Sequence, residues 1–430
     1  MRDLAQAVTT HTGPGRGGGR AGQSSIDLEE YDQSDPLTLS GQDQAFLEDL
    51  AADGGPLTVT YTREGNPKVG TSSHIGVAAL PSGRRLNVTP KQTVSRLLTL
   101  LQYALDVSST TVDEETSFTD VETFIDAFGA LFTAKLRQLL TRGIRRSYTR
   151  VKEVETAVRG RLDVQRQLQR PTPVPTDFAV EYDTLTANTT SNQAILAATQ
   201  VLTRLVDSDE LAASLSRQSS QLRQTVEPAH VTPIEIEAIE TTRLNAHYQD
   251  LLELSKLVLE RRFFEDLTSG SVASFGLFID MNQVYEAVVE RAFRAGAAQV
   301  DPTWRVAGQG SLEALIDGDH AVEMRPDVVV RDEDSVVAVV DAKWKTGGDS
   351  SGDVYQLTSY MLAEEVPGLI VYPEQDGGER ESIVQGEYLL RSVYLPTAAA
   401  VSSGEAYIDA LEAEAADHLR TVVDEERAGG

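Results

Sequence analysis

Alternating apolar and polar positions mark three short strands early in the chain: Leu57–Tyr61, Ile75–Leu80 and Arg85–Thr89, the last two separated by Pro81, Ser82 and Gly83. A period of two suits a sheet with one covered face. With a short helix expected at 43–52, these strands define a small β module over residues 41–115. The period then lengthens to that of a helix at Val94–Leu105, Val121–Leu140, Asn192–Leu205 and Ile234–Phe264. Residues 116–270 are therefore expected to be mostly helical, interrupted by the proline run Pro171 to Pro175, with their Leu and Val stripes forming core.

The pattern changes again over 271–400. A helix is expected at Asn282–Phe293, a strand at Gly310–Ile316, a helix from Asp353 as N-cap to Glu364, and strands at Leu369–Tyr372 and Glu387–Leu395. Between them lie two apolar runs, Val328–Val330 and Ser335–Val340, joined by Arg331-Asp332-Glu333-Asp334, which suits a tight turn. Residues 1–40 begin with a Gly-, Ser- and Thr-rich stretch and are expected to form a disordered tail. Residues 401–430 are expected to form an acidic helix and tail.

The hairpin carries the most chemistry. Arg325-Pro326-Asp327 precedes its first strand, and Asp341-Ala342-Lys343-Trp344-Lys345 ends its second. Strand side chains alternate faces, so Asp341 and Lys343 point the same way. If Asp327 lies opposite them, two carboxylates and one ammonium converge, a set suited to Mg²⁺ and phosphodiester hydrolysis. The plainer alternative is that both aspartates end strands and the lysines are solvated. Lysine usage bears on the choice: the chain has seven lysines against 31 arginines, and two of the seven sit here. Lysine can lose its proton and arginine cannot, so acid–base chemistry would select lysine. In the helix before the hairpin, Glu286 borders the apolar stripe Tyr285, Val289, Phe293 and can face the same sheet. After it, Gln356 and Tyr360 share a helix face.

Composition narrows the setting. The 430 residues hold 66 acidic against 38 basic side chains, for a net charge of −28, and no cysteine. Disulfides and thiolate metal sites are excluded. No apolar run approaches the roughly 18 residues of a membrane span, and the N-terminus lacks a secretory core, so a cytoplasmic protein is expected. Abundant carboxylates with few lysines resemble a halophile surface, and the expected source is a halophilic archaeon. In such salt, net charge says little about ligands. Against this background, eleven basic residues between Lys135 and Arg170 face only Glu153, Glu155 and Asp163. They read equally as a solvated helix face or as a surface for DNA or an acidic partner. No phosphate-binding Gly-x-x-x-x-Gly-Lys-Ser/Thr loop, metal-spaced histidines or Gly-x-Ser-x-Gly elbow is present.

In order along the chain, Gly276 to Glu286 ("GLFIDMNQVYE"), Arg325-Pro326-Asp327, Val340 to Lys345 ("VDAKWK") and Asp353 to Gln356 with Tyr360 resemble the McrC family, the nuclease subunit of McrBC-type 5-methylcytosine-dependent restriction systems. His74 to Val77, Val88-Thr89-Pro90-Lys91, Arg142-Gly143 with Tyr148, Arg159-Gly160-Arg161, and Tyr182 to Asn192 match more diffusely, so the resemblance spans about 70–395. It implies an α+β multidomain protein, in which an N-terminal β module and a helical region precede a restriction-endonuclease-like mixed sheet flanked by helices, the PD-(D/E)xK fold. It further implies that Asp327 and Asp341 hold Mg²⁺, that Lys343 positions or activates the attacking water, and that Glu286 assists as an outer carboxylate. Gln356, Tyr360 and Arg325 would support the site or touch DNA. The implied partners are an McrB-like AAA+ GTPase and modified double-stranded DNA, with the region before 270 meeting the GTPase and 271–400 folding without residues 1–115. A competing reading is a non-catalytic scaffold that activates the GTPase. A third, a RecB-like or CRISPR-adaptation nuclease, often needs cluster-ligating cysteines that this chain lacks.

Overall fold

The computed structural model describes residues 25–91, 93–107, 123–169, 176–240, 242–243, 245–260, 262–265, 274–310, 312, 324–333, 335–345, 350–374, 378–397 and 403–429. The glycine-rich part of the tail and the proline run lie outside the described residues. The N-terminal segment carries β1 (Ile26–Glu29), α1 (Gly41–Ala51), β2 (Leu57–Tyr61), β3 (Pro67–Thr71), β4 (His74–Ala79) and β5 (Arg85–Thr89). The middle follows with α2 (Val94–Ala104), α3 (Phe124–Arg142), β6 (Ser147–Glu155), β7 (Arg161–Leu162), α4 (Val164–Leu168), β8 (Phe178–Thr186), α5 (Thr190–Leu205), α6 (Asp209–Leu222), α7 (Pro233–Glu237) and α8 (Gln249–Glu260). Then come β9 (Arg262–Glu265), β10 (Ser274–Asp280), α9 (Met281–Val300), β11 (Arg305–Gly308), β12 (Val328–Asp332) and β13 (Ser335–Ala342). α10 (Ser351–Glu364), β14 (Gly368–Pro373), β15 (Arg380–Val384), β16 (Tyr388–Leu395) and α11 (Gly404–Gly429) complete it.

The C-terminal half is built on a mixed six-stranded sheet, ordered β11-β12-β13-β14-β16-β15. β13, β14 and β16 run parallel, and the other neighbours are antiparallel. Both faces are covered, which is why its strands read as continuous apolar runs. Val328, Val330, Ala338 and Val340 point into the core shared with α9 and α11. Val329, Val339, Ile370 and Tyr372 pack on the other face with Leu357 and Met361 of α10. The hairpin turn is tighter than the four residues suggested: β12 runs to Asp332, and Glu333 takes a left-handed φ of 51°.

The N-terminal sheet, β1-β5-β4-β10-β9, joins segments that the sequence pattern divides at 270/271. β10 pairs antiparallel with β4 along its length, Ile279 opposite Ile75 and Asp280 opposite His74. The approach is so close that a Cβ on Gly76 would lie 2.0 Å from the Leu277 carbonyl oxygen. Removing residues 1–115 would strip β10 of this partner, so the expectation that 271–400 folds without them loses its basis.

Other expectations are also corrected. Residues 26–40, assigned to the disordered tail, include β1, which pairs in parallel with β5 through Ile26↔Leu86 and Leu28↔Val88; both of its apolar side chains are buried. The middle region is not helical throughout: β6, β8 and β7 form an antiparallel sheet over 147–186. Thr149, Val151 and Val154, interleaved with charged residues, favour strand over helix. The long helix expected at 234–264 is instead α7, α8 and β9, since Pro233 starts one short helix at its first position and α8 begins only at Gln249. Most of the strand expected at 310–316 lies outside the described residues, although Leu312 bridges Met324; a strand that was not expected, β11, occupies Arg305–Gly308. α6 and β15 were not expected.

Candidate active site

Antiparallel register brings the motif together. Val328 faces Val340 and Val329 faces Val339, so one step further along the hairpin Asp327 comes opposite Asp341. Both share the parity of Val329 and Val339, the face under α10. The junction is closed by a hydrogen bond of 2.7 Å from the Ala342 amide to Asp327 Oδ2. The Lys343 amide continues the parallel ladder by donating to the Val371 carbonyl at 2.9 Å. Its ammonium returns to Asp341 Oδ2 at 2.6 Å. Glu286 reaches the cluster from the first turns of α9, whose start is fixed by Asp280 as N-cap, accepting from the Asn282 amide at 3.0 Å and from Ser73 Oγ at 2.8 Å.

Charge and burial conflict here. Burial raises the Asp341 carboxyl to about 6 against the opposing pull of Lys343, and Asp327 beside it adds to the rise. Burial also raises Asp327, with Glu286 adding to it and the Ala342 amide opposing. Glu286 is raised by burial, opposed by Lys343 and reinforced by Asp280 and Asp341. For Lys343, burial alone would lower the ammonium, but Asp341 and Asp327 outweigh it and hold it above its ordinary value. Three carboxylates thus face one ammonium in a largely buried pocket. Asp341, 1 % exposed at the side chain, has the Lys343 ammonium 2.6 Å from Oδ2 as its ionic partner. Carboxylate oxygens from Asp327, Asp341 and Glu286 gathered in one place are an all-oxygen donor set that fits a hard divalent cation such as Mg²⁺.

The supporting residues separate. Gln356 Nε2 donates to Tyr360 Oη at 3.0 Å; Tyr360 is buried in the core under α10, while Gln356 is exposed. Arg325 is exposed beside buried Pro326 at the mouth of the hairpin. Asp353 is not the N-cap of α10. Ser350 is, and Asp353 sits at the third position of a capping box. From there it pairs with Lys345 and accepts from Tyr372 Oη at 3.2 Å; burial would raise its carboxyl, but hydrogen bonds from Lys345 and from the Ser350 amide and hydroxyl hold it below its ordinary value. This second lysine–aspartate pair was missed, although the two-lysine spacing of the motif hints at two partners. Also missed were Glu30 and Tyr31, which hold Trp344 from the far end of the chain. Of the basic block, Lys135 is buried on Asp250 at 2.8 Å, and Arg150 pairs with Glu181 and Asp183 on the β6–β8 sheet.

A pH dependence follows. Asp341's folded value lies above its ordinary one, so its own contribution to stability is fully present below pH 3.8 and is lost as pH rises through about 6. A Mg²⁺ ion held by Asp341 would bind its ionised form and reverse that loss. Melting curves should therefore show stabilisation by millimolar Mg²⁺ at pH 8 that fades below about pH 6. A shift equal at pH 5 and pH 8 would remove Asp341 from the metal site.

The model of the family described as "McrBC 5-methylcytosine restriction system component" matches residues 69–373. No curated protein matches the chain. Among solved structures, a chain of the refined half-complex from the tetradecameric assembly of Thermococcus gammatolerans McrB AAA+ hexamers with bound McrC is similar over 90% of this chain and 98% of its own, at 19% identity and a TM-score of 0.61. A chain of the cryo-EM structure of the Thermococcus gammatolerans McrBC complex covers 64% of this chain and 88% of its own, at 20% identity and a TM-score of 0.44. The family match spans well over half of the sequence and includes Glu286, Asp327, Asp341 and Lys343: the chain belongs to the McrBC 5-methylcytosine restriction system component family.

Proposed function

We propose that this chain is the DNA-cleaving subunit of such a restriction system, an Mg²⁺-dependent endonuclease activated by an AAA+ GTPase. The observation that carries the proposal is the convergence of Asp327, Asp341, Glu286 and Lys343 at the open end of one hairpin. A scaffold without catalysis would not need three carboxylates buried around one lysine.

Asp327 and Asp341 would hold Mg²⁺, with Glu286 as the outer carboxylate. The ion would supply charge stabilisation at the scissile phosphate and an acidified water. Lys343, held protonated by Asp341 and Asp327, acts as a donor that orients the attacking water and faces the developing phosphate charge, rather than as a free base. At the middle of the triplet, the Ala342 amide fixes Asp327. Double-stranded DNA bearing modified cytosine is the substrate we infer from the family. The partner is inferred from the similar chain, which belongs to an assembly of McrB AAA+ hexamers with bound McrC. We further read the net charge of −28 as an adaptation to concentrated salt; a melting temperature unchanged between about 0.1 M and molar KCl would count against that.

The test is cleavage of methylated DNA by the chain combined with its partner, GTP and Mg²⁺. Cleavage should stop on chelation and return with Mg²⁺. Cleavage that survives chelation would refute a metal-dependent site.

A further inference from the structure

Regular strand structure ends at Ala342, yet Lys343 must be held at the carboxylates beyond it. What steadies the chain there is Trp344. Its indole is 4 % exposed and lies against the Tyr285 ring, with centroids 5.4 Å apart, immediately before Glu286. Two consecutive residues from the other end of the sequence grip it. Glu30 Oε2 accepts the indole Nε1–H at 2.8 Å, and Tyr31 Oη donates to the Trp344 carbonyl at 2.6 Å. One contact fixes the ring and the other the backbone, between the two lysines of the motif.

Glu30 is built for this place. It is 2 % exposed, and its second oxygen accepts the Lys91 amide at 2.9 Å, so both oxygens are occupied by donors. Its own amide donates to Thr89, extending the β1–β5 pairing by one residue. Tyr31 then turns the chain with a left-handed φ of 57°, an uncommon conformation for a bulky residue, which aims its hydroxyl at Trp344. A buried carboxylate and a strained tyrosine in sequence are expensive ways to join two sheets, and strain of this kind gathers at functional sites.

We propose that Glu30 and Tyr31 are positioning residues of the nuclease site, acting through Trp344 to hold Lys343 against Asp341. The inference rests on the nuclease reading above. It makes the N-terminal strand part of the active site: the same sheet sets Glu286 through β10 and Lys343 through β1.

The experiment is single-turnover cleavage by the full chain in complex with its partner, with partner GTP hydrolysis followed in parallel. Glu30→Ala and Trp344→Phe should each slow cleavage by about 10–100-fold, the range for residues that orient a metal site from one step away, while GTP hydrolysis stays stimulated. The double variant should be no slower than the worse single one, because both break one connection. In a Trp304→Phe background, where Trp344 is the sole indole, Glu30→Ala should shift the emission maximum. Should Glu30→Ala fail to fold, Tyr31→Phe removes a single hydroxyl and should slow cleavage in the same direction. Wild-type cleavage by folded Glu30→Ala or Tyr31→Phe, or losses that multiply in the double variant, would overturn the proposal. Lys343→Ala separates the two levels. If it is inactive while Glu30→Ala is wild-type, only the positioning role fails; if Lys343→Ala also cleaves normally, the nuclease reading fails with it.

Discussion

Lys343→Ala should lower the cleavage rate by on the order of 10²–10³-fold, the typical loss when one preorganised donor is removed from a site of developing charge. The chain should remain folded. The Lys343 side chain is about a quarter exposed, and the hydrogen bond its backbone amide donates to the Val371 carbonyl does not depend on the side chain. The loss has two parts. The attacking water loses the donor that orients it, and Asp341 loses the cation opposing its rise toward about 6, which shifts metal binding to higher pH. Raising the pH or the Mg²⁺ concentration should therefore recover only the second part. Lys343→Arg should not restore the rate, because a planar guanidinium cannot replace a compact ammonium 2.6 Å from a buried oxygen. Cleavage at the wild-type rate by Lys343→Ala would remove the lysine from the mechanism.

The second large effect concerns the partner. With Mg²⁺ alone the purified chain should be a poor nuclease, slower than the assembled complex by on the order of 100-fold if activation follows the usual scale of coupling between sites. The sequence has no nucleotide-binding loop of the Gly-x-x-x-x-Gly-Lys-Ser/Thr kind, and one Asp/Asp/Lys site cuts one strand at a time. On the proposed reading, control and the second cut come from assembly. Comparing methylated DNA cleavage with and without the partner and GTP measures this. Efficient cleavage of unmodified DNA by the chain alone would make it an autonomous nuclease.

How far the sequence could be read depended on the distance between partners. The β12–β13 hairpin was legible because its register is local: alternation put Asp341 and Lys343 on one face, and only the position of Asp327 needed confirming. β2 and β5 were also found to the residue, since each is a short period-two run. The 147–186 sheet was hidden by its charges, which drew attention to Arg and Lys and away from the β-branched residues between them. β10 was hidden for another reason: Leu277, Phe278 and Ile279 form a short apolar run directly before a helix, and such a run cannot be told from the helix's first turn by period. Glu30 could not have been found, because its role exists only through an indole 314 residues away. Asp353 was noticed for its capping chemistry, but its pairing with Lys345 needed the fold of α10 over β14.

The most direct test of the account replaces the two aspartates proposed to hold the metal by isosteric amides, Asp327→Asn and Asp341→Asn, and records DNA cleavage and GTP hydrolysis in the same reaction with the partner present. Asparagine preserves the shape of each side chain while removing the charge that Mg²⁺ requires. The expected result is that cleavage falls to background in both variants while stimulated GTP hydrolysis persists. Cleavage continuing in either variant at the wild-type rate would contradict the assignment of this site as the nuclease centre.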